Sequence, residues 1–388
     1  MYKLILSLFL CISCLTTTHA QVITGAERTT EYLPLLKGKR VALLVNQTAT
    51  IGRTHLVDSL LKLHVKIQKI FSPEHGFRGT ADAGAKIGNS KDPGTGLPIV
   101  SLYGKHRKAD AADLKDVDVL IFDIQDVGTR FYTYISSLQE LMESAAENNK
   151  LLIVLDRPNP NGHYVDGPVL LDTSLRSFIG MQSIPIVHGM TVGEYAKMLN
   201  GERWLKNGVQ CKLTVITCKK YDHHTFYQLP IAPSPNLPNM AAIYLYPSTC
   251  LFEGTALSLG RGTNLPFQVF GHPSYPKDLF SFTPRANSGN KNPVLKDTTC
   301  YGYNLTGTPE QVRAEMNGRI QLKWLIQAYN LFTDKEKFFT PFINKLAGNR
   351  ILQQQIRKGL SEEEIRKSWE PALSTFKITR KKYLLYAE

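Results

Sequence analysis

The sequence predicts an α/β fold, a largely parallel sheet with helices on both faces followed by a smaller α+β unit. Three observations predict it. Short β-branched runs alternate with amphipathic segments between about Lys37 and Val187, polar glycine-bearing stretches begin where those runs end, and the later sequence turns proline-rich and aromatic. With 388 residues and 43% hydrophobic content, the chain carries enough apolar material for two cores.

The first segment stands outside the fold. Lys3, an apolar run from Leu4 to Leu15 and the small residues Thr18 and Ala20 have the order of a secretory signal cut before Gln21. Residues 1–20 are therefore expected to be removed and the chain exported, to the periplasm or outside the cell. Cys14 after Ser13 offers a lipoprotein anchor as the alternative. No later stretch is apolar enough to span a bilayer, so no integral membrane segment is expected after signal removal.

Six strands follow: Arg40 to Asn46, Lys66 to Phe71, Leu97 to Tyr103, Asp118 to Ile124, Leu151 to Asp156 and Ser183 to His188. Thr54 is positioned to cap a helix running to about Lys62, and Thr191 to cap TVGEYAKML. Between Tyr132 and Asn149 the residues Ile135, Leu138, Leu141, Met142 and Ala145 form a helical stripe. This first domain is expected over residues 21–205 and a second over 206–388. The second opens with PSPNLP, AIYLYPSTCLFEGT and LGRGT, and its tail returns to helix, with Ser361 as cap and Ile365, Trp369 and Leu373 on one face.

Five polar loops, NQTAT, SPEHGFRG, QDVGTR, DRPNPNG and HGMT, begin at strand ends and should converge on one edge of the sheet. Ligands of open parallel sheets bind at that edge. The loops bring Asn46, Glu74, His75, Arg78, Gln125, Asp126, Arg130, Asp156 and His188 toward it, with Asp123 and Gln125 on the same side of an extended strand. Glu74 is the leading catalytic candidate, because Gly76 and Gly79 permit tight turns and Arg78 is close enough to tune a carboxyl group. Asp123, Gln125, Asp126 and Arg130, followed by three aromatics, have the composition of a sugar site. Arg130 could hold a carboxylate bidentately or close the loop as an ion pair. In the second domain Asn236, Glu253 and Arg261 lie in turns that could close over the cleft, with Glu253 the second carboxylate candidate.

Composition narrows the partner. Lys and Arg number 46 against 33 Asp and Glu, a net charge of +13 that favours polyanions such as peptidoglycan. No zinc knuckle, RNA-binding signature or dense basic tract with interleaved aromatics is present, so nucleic acid is not expected. There is no phosphate-binding loop, HExxH or GxGxxG after the first strand, and no metal or cofactor is expected. His223-His224 reads as a solvated turn. The four cysteines beyond the leader, Cys211, Cys218, Cys250 and Cys300, are even in number, but Cys211 and Cys218 flank an extended KLTVIT and cannot reach one another.

SPEHGFRG, FDIQDVGTRFYTY, LDRPNP, PSPNLP, YPSTCLFEGT, GRGT and the tail at Tyr383 to Tyr386, taken in this order, resemble the exo-β-N-acetylmuramidases once catalogued as a domain of unknown function. The likeness spans about Gly38 to Tyr386. It implies a Rossmann-like amino-terminal domain without a nucleotide and an auxiliary carboxy-terminal domain. The cleft between them would remove N-acetylmuramic acid from peptidoglycan-derived disaccharides or muropeptides. It also implies that Glu74 leads the chemistry, that His75, Asp123, Gln125, Asp126 and Arg130 line the site, and that Glu253 and Arg261 face it. On this reading Arg130 or Arg261 recognises the lactyl carboxylate. Two rival readings stand beside it: a peptidoglycan-binding protein without an acid, and a metal-dependent amidohydrolase or deacetylase using His75, Asp123, Asp156 and His188.

Overall fold

The computed structural model describes residues 21–78 and 88–388. The leader expected over 1–20 and Gly79 of the SPEHGFRG loop lie outside them. Twelve strands occur in the described residues: β1 (Arg40–Val45), β2 (Thr50–Ile51), β3 (Thr54–His55), β4 (Lys66–Ser72), β5 (Ser90–Lys91), β6 (Pro98–Ser101), β7 (Val119–Asp123), β8 (Leu151–Leu155), β9 (Lys212–Ile216), β10 (Val269–His272), β11 (Phe280–Phe282) and β12 (Cys300–Asn304).

The large sheet has the order β5-β6-β4-β1-β7-β8-β9, parallel throughout except for the short β5. Numbering its six parallel strands along the chain gives 3-2-1-4-5-6, so the chain reverses direction of growth between β1 and β7. That reversal splays the two following loops apart and leaves a crevice at the carboxyl edge. Alternation along the strands divides the core. Val41, Leu43, Val45, Ile121, Ile153 and Leu155 meet Leu56, Val57 and Leu60 of the helix Leu56–Lys62 on one face. Leu44, Phe122, Leu152 and Val154 meet Leu138 and Met142 of the helix Tyr134–Glu147 on the other.

The carboxy-terminal unit is a three-stranded antiparallel sheet, β10-β12-β11, with helices including Met240–Thr249 and Glu362–Lys381. Its apolar side chains Tyr246, Phe252, Phe270 and Trp369 belong to the same contiguous core as Leu44 and Phe122. The expected caps at Thr191 and Ser361 both form capping boxes, with Glu194 and Glu364 as reciprocal partners.

Three expectations are corrected. Ser183 to His188 is not a sheet strand: Pro185 supplies no donor, and Val187 makes only isolated bridges to Thr129 and Asp166. The sixth parallel position belongs instead to β9, which pairs with β8 from Lys212 to Ile216. The sheet therefore extends past the boundary expected at 205/206. Thr54 lies in the β2–β3 hairpin, and the following helix is capped by His55, whose ring nitrogen accepts from the Val57 N–H at 3.2 Å.

Candidate active site

Glu74 follows β4 in a tight turn that closes when the Gly76 N–H donates to the Pro73 carbonyl at 3.0 Å. His75 takes the left-handed conformation, φ 67°, as does Gly76. A non-glycine residue held there is a conformation that packing must enforce, and such residues concentrate at functional sites. The Glu74 carboxylate is held on both oxygens: the Tyr103 hydroxyl donates to Oε1 at 2.8 Å and the Thr133 hydroxyl to Oε2 at 2.9 Å. Tyr103 lies just beyond β6 and Thr133 just before the helix Tyr134–Glu147, so three strand-end segments fix one carboxyl group. Burial and the neighbouring Glu74 charge push the Tyr103 phenol well above its ordinary pKa, so it stays a donor at neutral pH.

Glu74 and His75 line a cavity of about 180 Å³ between the two units. Phe131, Tyr132, Tyr134 and Asn236 come from the amino-terminal side, while Tyr246, Glu253, Arg261 and Phe267 come from the carboxy-terminal side. Arg261 donates from Nε at 3.1 Å and from Nη2 at 2.5 Å, both to Oε1 of Glu253. Its guanidinium also lies 4.8 Å from the Phe267 ring centre. Burial opposes the charge of Arg261, but Glu253 outweighs it and the pKa is raised. Asn236 donates to the Gly289 carbonyl at 3.0 Å. The cavity thus joins two carboxylates, one arginine and a wall of aromatic faces, a set that can bind a pyranose and exchange a proton with it.

The other expected site residues are committed elsewhere. Asp123 is fully buried and paired with Arg157, which donates to its two oxygens at 2.5 and 2.8 Å. Asp156 accepts from Thr191, Tyr386 and the N–H groups of Arg157 and Gly193, locking the chain's tail to the start of the helix Val192–Gly201. Burial still pushes its carboxyl up to about 6. Asn46 accepts from Thr48, which in turn accepts from the Gln125 N–H, while the Gln125 side chain donates to the Asp126 and Pro158 carbonyls. These residues splice the loops beneath the cavity. Arg78 pairs with Asp92 at 2.7 Å and does not line it.

Arg130 is the largest departure. Its side chain is buried, donating from Nη1 to the Pro168 and Ile184 carbonyls at 2.9 and 2.8 Å and from Nη2 to the Leu346 carbonyl at 2.7 Å. It ties the units together instead of reading a ligand. Burial without a carboxylate partner draws its pKa down to about 9, which leaves it charged at neutral pH. Asp126 accepts from the Gly128 N–H at 2.6 Å, and its Oδ2 lies 3.8 Å from Nε2 of the buried His188. Burial pushes the Asp126 carboxyl up to about 7 and draws His188 down to about 3. Neither lines the cavity.

The four residues of the metal-dependent reading are not gathered into a ligand set; among the described residues the one cluster with that spacing is His106, Asp110 and Asp113. His223 is not a solvated turn but is buried, its ring 3.0 Å from Glu194. The four cysteines are buried free thiols, and burial pushes Cys211 up to about 12. Sequence reading did not single out Tyr103, Thr133, Tyr246 or Phe267. The rule that ligands meet strand ends would have flagged Tyr103, the last residue of LPIVSLY; Tyr246 and Phe267 carry no local mark.

Comparison with known proteins matches both units to known domains. The model of the amino-terminal domain of exo-β-N-acetylmuramidase NamZ matches residues 41–241 and that of the carboxy-terminal domain matches 244–386. Their division follows the sheet, leaving β9 in the first domain. The peptidoglycan β-N-acetylmuramidase NamZ of Bacillus subtilis is 38% identical over 399 residues, covering 96% of this chain and 93% of its own. Two crystal structures of DUF1343-family proteins from Bacteroides fragilis superpose closely. One has TM-score 0.87 and 49% identity, covering 95% of this chain and all of the other; the second has TM-score 0.75 and 32% identity, covering 94% and 99%.

Proposed function

The chain belongs to the NamZ family of exo-β-N-acetylmuramidases, and from that membership and its cavity we propose how it releases N-acetylmuramic acid from the non-reducing ends of peptidoglycan fragments. The reaction is glycoside hydrolysis. The observation that supports the assignment of roles is the meeting of Glu74 with the Glu253–Arg261 pair in one cavity walled by aromatics.

Glu74, in its protonated form and oriented by Tyr103 and Thr133, protonates the glycosidic oxygen as the bond to the anomeric carbon breaks; water then adds to that carbon and returns a proton to Glu74. Glu253 steadies the positive charge that develops on the sugar ring, and Tyr132, Tyr134 and Tyr246 supply apolar faces and hydroxyls for the pyranose. Arg261 binds the lactyl carboxylate. Its two bonds to Glu253 use Nε and Nη2, and an arginine has a further terminal nitrogen to offer. Because Glu74 and Glu253 come from different units, the site exists only where both are docked.

The test is release of N-acetylmuramic acid from a muramyl-glucosamine disaccharide by the wild type and by Glu74→Gln. A loss of roughly 10²- to 10⁴-fold is expected of a missing general acid; full activity in the variant would remove Glu74 from its role. Chelator should leave the wild-type rate unchanged, and loss of activity on chelation would favour the metal-dependent reading. Export is a second part of the proposal, motivated by the basic, apolar and small-residue order of residues 1–20. A mature protein whose first residue is Gln21 would support it, and a cytoplasmic protein retaining Met1 would exclude it.

A further inference from the structure

One tight turn forms the divide between the cavity and a second groove. Ser177 and Gly180 bond reciprocally, at 3.1 and 2.9 Å, which places Phe178 and Ile179 at the tip of the turn. Ile179 lines the catalytic cavity, whereas Phe178 lines a neighbouring groove of about 510 Å³. That groove is cationic and partly aromatic. Arg107, Arg176 and Lys206 are exposed along it, with Phe178 and Trp204 beside them. Arg107 lies over the Phe178 ring at 4.5 Å, so its guanidinium is held on a platform.

Two carboxylates, Glu140 and Glu143, line the groove against four cations, Arg107, Lys108, Arg176 and Lys206, so it stays net cationic; Glu140 interacts with both Lys108 and Arg107 and offsets part of their charge. Glu143 is buried and accepts from Gln139, Lys108 and the Lys206 N–H, so its charge is spent inward, and Lys108 is paired with Glu143 and Glu147. Arg107 donates to the Gly104 carbonyl and Arg176 to the Ser183 hydroxyl, neither of them an anion. The Ser177 hydroxyl, on the same wall, is buried without a hydrogen-bond partner. A buried hydroxyl without a partner costs free energy that a bound polar group would recover.

We propose that this groove binds the carboxylate-bearing part of the substrate beyond the cleaved bond. The inference rests on the glycosidase reading of the cavity. An exo-acting enzyme encloses one terminal sugar, so the remainder of the fragment leaves the cavity and runs over the adjoining surface. A groove that shares the wall at Ile179 and presents three cations suits an acidic continuation. Its carboxylates have two sources, the lactyl group of the next muramic acid and the peptide stem attached to it.

The test compares three substrates with the wild type and the Arg107→Ala/Arg176→Ala double variant. The first is the muramyl-glucosamine disaccharide, with no carboxylate beyond the cleaved bond. The second extends it by a further muramic acid, and the third adds a peptide stem to that residue. The double variant should keep the wild-type rate on the disaccharide and lose about five- to tenfold in kcat/KM on an extended substrate, through KM, as expected for two partly solvated cations. The loss should shrink as salt screens the charges. Loss already on the second substrate identifies the lactyl group, and loss only on the third identifies the peptide. Equal losses on all three, or none on either extended substrate, would overturn the proposal. Failure of the wild type on every substrate would instead count against the glycosidase reading.

Discussion

Replacing Arg130 by Leu separates a structural arginine from a ligand-reading one. The substitution removes three hydrogen bonds of 2.7 to 2.9 Å and leaves the Pro168, Ile184 and Leu346 carbonyls without that donor. An orphaned buried acceptor costs about 1–3 kcal/mol. The Ile184 carbonyl still accepts from the Leu170 N–H, so two are orphaned, and with relief from burying a guanidinium the net loss is about 2–4 kcal/mol. Against a typical total of about 5–15 kcal/mol that is a large share, and over a chain of this length it should lower Tm by roughly 3–5 °C. Because Leu346 lies in the carboxy-terminal unit and Pro168 and Ile184 in the amino-terminal one, the loss should loosen their docking. The assay pairs a thermal unfolding scan with KM for a β-N-acetylmuraminide measured well below the transition. A fall in Tm of that size with unchanged KM is expected. A rise in KM of about tenfold, the loss of a charged contact, with Tm unmoved would show that Arg130 reads the substrate and that this account of it is wrong.

Asp126→Asn should stabilise the protein in a pH-dependent way. With the folded-state carboxyl at about 7, only the unfolded chain ionises between roughly pH 4 and 7, so the wild type loses about 1.4 kcal/mol per pH unit over that window. The amide avoids this and can still accept from Gly128, so the variant's advantage in Tm should grow up to about pH 7 and then level; a constant gap would refute the assignment. Arg261→Met should erode substrate discrimination. The ratio of kcat/KM for a β-N-acetylmuraminide to that for the matching β-N-acetylglucosaminide, which lacks the lactyl group, should fall about 10- to 100-fold. An unchanged ratio would show that another group reads the carboxylate.

Much of the architecture was legible because it is encoded locally. Short continuous β-branched runs gave five of the six parallel strands, and reciprocal Thr191/Glu194 and Ser361/Glu364 pairs gave two helix starts. KLTVIT was readable as a strand, yet its place beside β8 depends on pairing across some sixty residues. SIPIVH has strand composition, but Pro185 and its crossing path deny it a ladder. The site divided in the same way. Glu74 was marked by its glycine-bearing loop at a strand end, and Glu253 and Arg261 by their turns. The ionic residues were misread where their partners are remote: Asp123 finds Arg157 and Arg130 finds Leu346, and no spacing rule announces either. A polar residue at the ligand edge of a sheet can as readily hold the loops as face the ligand, and only its hydrogen-bond partners distinguish the two.

The central claim is that Glu74 delivers the proton to the departing sugar oxygen. Its most direct test is the leaving-group dependence of Glu74→Gln. An aryl β-N-acetylmuraminide leaves as a stabilised phenolate and needs little protonation, whereas a muramyl-glucosamine disaccharide departs as an alkoxide. The account predicts a loss of about 10²-fold or more on the disaccharide and a much smaller loss on the aryl glycoside. Equal losses on both substrates would place Glu74 in the active site but take the proton from it.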